Sequence, residues 1–145
     1  MDAKKLADWV VERCVKAGNP ATPQQLQRIL FCIEREHIKR HDAPAFFNPM
    51  EAWENGPVVP EVWMRYAHFG TMPIPFAMGH QESLDPALDE RLIAWVVDEK
   101  AGMHYADLMK EVCTPDGSWA RCFHVGKHCL ILPSEVRRWD AERTD

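Results

Sequence analysis

The chain has 145 residues, 46% of them hydrophobic, which is enough apolar material for a sizeable core and predicts a single domain over residues 1–145. Its formal net charge of −5 is uneven: residues 1–50 carry 8 Lys/Arg against 6 Asp/Glu, while residues 51–145 carry 9 against 16. That balance weighs against a nucleic-acid binder working through its whole surface, and the longest apolar run, Leu92-Ile93-Ala94-Trp95-Val96-Val97, is far short of the ~20 residues that cross a membrane.

Helical periodicity dominates the chain, so the expected fold is mainly α: one compact domain of five to six helices with a small β element. Ala3, Ala7, Val10, Cys14 and Ala17 line one face of a first helix that should end at Gly18-Asn19-Pro20. Thr22-Pro23-Gln24-Gln25 reads as an N-cap, a first-turn proline and a capping-box glutamine. The helix it starts should bury Leu26, Ile29, Leu30, Ile33 and His37 and turn Arg28, Arg35 and Lys39 outward.

Asp42, Pro44, Asn48 and Pro49 then predict a loop that presents Phe46 and Phe47. A third helix is expected from about Pro60 to Phe69 with Gly70 as its stop, followed by a connector broken by Pro73 and Pro75. Asp85-Pro86 reads as the capped start of a helix with an inward stripe of Leu88, Leu92, Trp95, Val96 and Glu99, ending at Gly102. Tyr105 to Cys113 predicts another helix that buries Leu108, Met109 and Val112. Pro115-Asp116-Gly117 is a turn signal, Leu130-Ile131-Leu132 a short extended piece, and Pro133-Ser134-Glu135 the start of a last helix through Trp139, beyond which the chain should fray.

The most informative stretch is Glu51 to Trp63. Two tryptophans flank a Gly56-Pro57 bend and a helix that Pro60 can start without losing a needed N–H. Little in it can do covalent chemistry. It reads as a rigid aromatic corner whose indoles either fill the core, at a few kcal/mol each for ~200 Å² of ring surface, or grip another protein. Candidate partner-binding residues are Phe46, Phe47, Trp53, Asn55, Gly56, Pro57, Val58 and Trp63.

Glu51-Ala52-Trp53, Gly56-Pro57-Val58, Pro60 and Val62-Trp63 resemble the signature of the Panacea domain family, SocA/GepA-like and often phage-associated antitoxin proteins. Leu26-Gln27-Arg28-Ile29-Leu30-Phe31 is similar to the family's helix pattern Leu-Gln-Lys-Leu-Leu-Tyr, with Phe31 in place of the usual tyrosine. The resemblance extends roughly from residue 3 to residue 139, with Ser118 where the family has a proline before Trp119 and Cys113-Thr114 where it has a Thr-His pair. It implies a bacterial, prophage-encoded antitoxin that neutralises a protein toxin encoded nearby, and in some members an adaptor that delivers the toxin to a protease. A phage accessory protein without a toxin partner would share these features.

Other chemistries find thinner support. Five cysteines, an odd number, in a chain whose first residues lead into a charged amphipathic segment suggest reduced thiols and a cytosolic protein. Cys122, His124, His128 and Cys129 place four N/S donors within eight residues, but adjacent His128 and Cys129 cannot easily converge on one ion, so no metal is expected and a metal-dependent hydrolase is the weaker alternative. His37 and His41 share a helical face without the glutamate a zinc-protease helix needs after its first histidine. They fit instead the negative pole of a helix end. With no nucleophile elbow, phosphate loop or dinucleotide fingerprint, neither an enzyme nor a cofactor is expected. A nucleic-acid reading would have to rest on Arg28, Arg35, Lys39 and Arg40.

Overall fold

Asp2 opens the first helix by accepting the Lys4 N–H on its side chain, and α1 runs over Ala3–Lys16. The computed structural model describes residues 1–141. Leu6, Ala7, Val10 and Cys14 are buried as their spacing requires, but Ala17 lies past the helix end and is exposed. The turn out of α1 passes through Gly18 at φ +79, a conformation a Cβ would strain.

Thr22 and Gln25 form the expected reciprocal capping box, with Pro23 in the first turn, and α2 extends over Pro23–His41 before closing at Asp42 in a left-handed conformation (φ 54). Every residue from Leu26 to Glu34 is buried. The reason is tertiary: α2 is the central strut of the fold, packed by α4 (Glu90–Ala101), α5 (Tyr105–Val112), α7 (Pro133–Val136) and a short hairpin. An amphipathic stripe is too narrow a description of a helix covered on most sides. Arg28, expected on the outer face, is 3% exposed, and Arg35 is held inside an ion-pair cluster.

β1 (Glu51–Trp53) and β2 (Gly56–Val58) pair antiparallel, with Trp53 opposite Gly56 and Glu51 opposite Val58. On the other edge β1 pairs with β3 (Cys129–Leu130), giving the order β2-β1-β3. The β element expected near Leu130 is therefore the third strand of the same small sheet. The chain reverses at Glu54-Asn55, ahead of the Gly56-Pro57 step; Gly56 then takes φ +128, and Pro57 sits in an edge strand where its missing donor costs no ladder bond.

Val59 follows the strand as the N-cap and Pro60 starts α3 (Pro60–Tyr66), which tightens into a 3₁₀ turn at Ala67–Phe69 and stops at Gly70. A buried carboxylate fixes α3 on α1. Asp8, 4% exposed, takes a bidentate pair from Arg65 at 2.9 and 2.7 Å and the Tyr66 hydroxyl at 2.6 Å. A second cluster joins three helices: Glu111 of α5 accepts from Arg35 of α2 at 2.7 Å and from Lys100 of α4 at 2.8 Å.

Asp85-Pro86 does not begin a helix. Asp85 Oδ1 accepts the Ala87 N–H and closes a local turn, and α4 starts only at Glu90, capped by Asp89. Its buried stripe is Ile93, Val96, Val97 and Lys100 rather than the one counted from Leu88, so Trp95 is 55% exposed. Beyond the Pro115–Gly117 turn a short helix, α6 (Ser118–Cys122), adds to the expected set; with it the described residues hold seven α-helices. Asp140 caps α6 from far along the chain by accepting the Ser118 N–H, and a Cβ at Gly117 would stand 2.7 Å from that carboxylate. α7 continues as a π-turn over Arg137–Ala141 in which Asp140 and Ala141 are buried. The expectation of fraying past Trp139 otherwise falls on residues 142–145, outside the described residues.

Candidate functional site

The hairpin of β1 and β2 is held from below by α2. Gln27, on α2 and 3% exposed, accepts the Val59 N–H at 2.7 Å. Its neighbour Arg28 donates through Nη2 to the Asn55 carbonyl at 3.2 Å and through Nη1 to the Tyr105 carbonyl at 3.3 Å. From α6, Trp119 Nε1 donates to the Trp53 carbonyl at 2.8 Å. Three side chains thus fix backbone groups of a two-stranded hairpin, which alone would be marginally stable in water.

On this support the two motif tryptophans meet edge to face, with ring centroids 5.9 Å apart and planes inclined by 65°. The geometry suits the opposite charges of an indole edge and face. Trp53 also stacks on His128 at 4.5 Å, and its Nε1–H is held by Glu51 at 2.8 Å. Both indoles are half-buried: neither is sealed in the core, and neither is loose.

Between them opens a cavity of about 180 Å³ walled by Trp53, Trp63, Pro57 and Val58, with Gln27 and Arg28 contributing polar groups. Asn55, Gln24, Glu54 and His128 complete its lining. A second cavity, of about 300 Å³, shares Gln24, Arg28 and Trp63 and adds Tyr105. The fold therefore brings Trp53, Asn55, Pro57, Val58 and Trp63 to one place, with Gly56 buried in the strand beneath.

It does not bring the loop phenylalanines there. Phe46 is 3% exposed and belongs to the hydrophobic core, which corrects the expectation that the loop presents it; Phe47 is 72% exposed and borders a different cavity with Met1, Lys5 and Leu84. Successive residues of a loop point apart. Here Glu34 decides which one goes inward, because its buried carboxyl accepts the Ala45 N–H at 2.7 Å and pulls that part of the loop onto α2.

Sequence reasoning missed Gln24, Gln27, Arg28 and His128 as members of the site. The first three had a signal: they are spaced i, i+3 and i+4 on α2, so they share a helical stripe. His128 had none, since only the β1–β3 pairing carries it to Trp53.

Arg28 is electrostatically unusual. Among the described residues no carboxylate pairs with it, its Nε is buried without a hydrogen-bond partner, and burial lowers its pKa from the usual guanidinium value. Of the five N–H donors of a guanidinium, two are used, both on backbone carbonyls.

Among the residues that could serve metal or acid–base chemistry, Cys122, His37 and His41 have structural partners. Cys122 donates to Glu135 at 3.2 Å, and burial pushes its thiol up to about 12. Burial likewise raises Cys32 to about 12 and Cys14 and Cys113 to about 11, so these four are held as thiols at neutral pH. His124 and His128 are exposed, and among the described residues no three His, Cys, Asp or Glu side chains are grouped to hold a metal ion. His37, 2% exposed, donates from Nδ1 to the Ala43 carbonyl at 2.8 Å while its Nε2 accepts the Asp89 N–H, which fixes one neutral tautomer. His41 binds the Asp89 carboxylate at 2.8 Å, and this hydrogen bond lowers the pKa of that carboxyl. With Arg28 and Arg35 inside, the basic stripe expected on α2 reduces to Lys39 and Arg40. No helix among the described residues is long and apolar enough to cross a membrane.

A family model described as the SocA-like antitoxin, Panacea domain, matches residues 26–119, nearly two-thirds of the chain. The matched segment runs from α2 to the start of α6 and contains every lining residue of the smaller cavity except Gln24 and His128. No curated protein and no solved structure matches the chain.

Proposed function

The chain belongs to the family of SocA-like antitoxins with a Panacea domain, and from that premise we propose that it binds and neutralises a protein toxin encoded beside it, by occluding a toxin surface at the Trp53–Trp63 face. One observation carries the choice of face. Two half-buried tryptophans, held edge to face on a braced hairpin, border a cavity inside the segment that the family model matches.

Tryptophan is enriched at binding hot spots because a rigid ring buries much area at little entropic cost. A half-buried indole is suited to this use, since its position is already fixed and part of its surface remains for a partner. The bracing bonds of Gln27, Arg28 and Trp119 lower the ordering cost of binding further. The acidic balance of residues 51–145 would leave the rim polar around that apolar centre.

The proposal is tested by expressing the adjacent reading frame with and without this chain in a bacterial host. Growth arrest relieved by co-expression, together with a complex that survives purification, is the expected outcome. Absence of both arrest and complex contradicts the proposal.

A further inference from the structure

The buried guanidinium of Arg28 sets a condition on whatever fills the cavity beside it. A cation withdrawn from water without an anionic partner is costly, and two carbonyl bonds return only part of its lost hydration. Such a residue is tolerated where a counter-charge arrives from outside. Arg28 reaches the walls of both cavities at this face, and three of its five N–H donors, Nε–H included, have no acceptor among the described residues.

The surroundings add donors. Gln27 commits its Oε1 to the Val59 N–H, so its side-chain NH₂ is left to the cavity that it lines. Indole, proline and valine form the apolar part of the lining, and an ion pair made against them is screened less than one in open water. Glu54 lies on the lining but is exposed, where water and salt screen it, and it makes no bond to Arg28.

At about 180 Å³ the space is smaller than the cavities that hold cofactors and drug-sized ligands, and is of the size of one side chain. We propose that the Trp53–Trp63 cavity receives an aspartate or glutamate side chain of the protein partner, its carboxylate pairing with the Arg28 guanidinium. This rests on the partner-binding reading above only in naming a protein as the source of the carboxylate. The ion pair supplies register and specificity, and the indoles supply apolar contact around it.

The test uses the full chain, ¹⁵N-labelled, and reads the Trp53 and Trp63 indole N–H and the Arg28 Nε–H signals during titration with N-acetylglutamate amide or its uncharged analogue N-acetylglutamine amide. Saturable shifts of all three signals with the glutamate compound in the millimolar range, and at least tenfold weaker binding of the glutamine compound, are expected. Equal shifts with both compounds, or none with either, overturn the proposal. Gln24→Glu provides a second reading at an exposed position where folding is not at stake. It sets a carboxylate four residues before Arg28 on the same helix, within reach of the guanidinium, and is expected to weaken both the probe and the adjacent gene product at least tenfold. If the adjacent product binds Gln24→Glu as tightly as the unaltered chain, the proposal is wrong and the partner-binding reading stands. If the probe binds as expected and the adjacent product does not bind at all, the carboxylate chemistry stands and the partner-binding reading falls.

Discussion

Gln27 Oε1 accepts the Val59 N–H at 2.7 Å, both groups buried, and so fastens the end of β2 and the start of α3 to the central helix. Val59 has no side-chain cap of its own to offer α3, and the glutamine takes the N-cap N–H as the third helical residue of a capping box does elsewhere. Gln27→Ala leaves a buried N–H unpaired and is expected to destabilise the fold by about 1–3 kcal/mol. Urea unfolding measures it, and a change below about 0.5 kcal/mol would show that the bond is not needed to hold the corner.

The loop phenylalanines separate packing from exposure. Phe46→Ala should cost about 3–5 kcal/mol through loss of buried ring surface and the cavity left behind, whereas Phe47→Ala should lie within about 0.5 kcal/mol of the unaltered chain. Thermal unfolding of the two variants side by side checks the assignment; equal effects would contradict the opposite burial of these neighbours.

Glu34 gives the fold a pH dependence of known sign. Burial is the largest influence on its carboxyl and raises it from 4.5 to about 7, against the lowering effect of the Ala45 N–H bond. Between those values the folded chain holds a proton that the unfolded chain has released, so stability falls as pH rises through about 7. The loss is on the order of 3 kcal/mol for a shift of this size. Glu34→Gln keeps an acceptor for Ala45 and should flatten the decline in urea-unfolding free energy between about pH 4.5 and about pH 7. An unchanged slope would mean that another group sets it.

Gly56 holds φ +128 at the hairpin. A Cβ there would meet Cys113, Val112 and Arg28 only at ordinary contact distances of 3.6 to 4.0 Å, so the cost of Gly56→Ala is conformational, about 1–3 kcal/mol. Circular dichroism during thermal unfolding registers it.

The local signals in the sequence were honoured where the chain could satisfy them alone. Thr22, Pro23 and Gln25 cap α2 within four residues, and Gly70 stops the helix that Pro60 begins. Local reasoning failed where distant contacts decide. Asp85 spends its carboxyl on a turn, which shifts the start of α4 by several residues and rotates the stripe that Ile93 and Val97 bury. A lysine such as Lys100 does not mark itself as buried, because the carboxylate that permits it, Glu111, lies on another helix. At the site, the motif spacing identified Trp53, Asn55, Pro57, Val58 and Trp63 as neighbours, and the cavity joins them. Tertiary contacts set the side of α2 that meets the hairpin, so Arg28 is buried although helical spacing alone turns it outward. Its burial follows from how α5 and β2 enclose the helix.

The most direct test measures the affinity of the adjacent gene's protein product for the unaltered chain, for Trp53→Ala and Trp63→Ala, and for the exposed-charge variants Lys39→Ala and Arg40→Ala, each shown folded by circular dichroism. Each tryptophan variant is expected to bind at least tenfold more weakly while the charge variants stay within about twofold. Unchanged affinity in both tryptophan variants would contradict the claim that this chain works by offering its braced aromatic face to a protein.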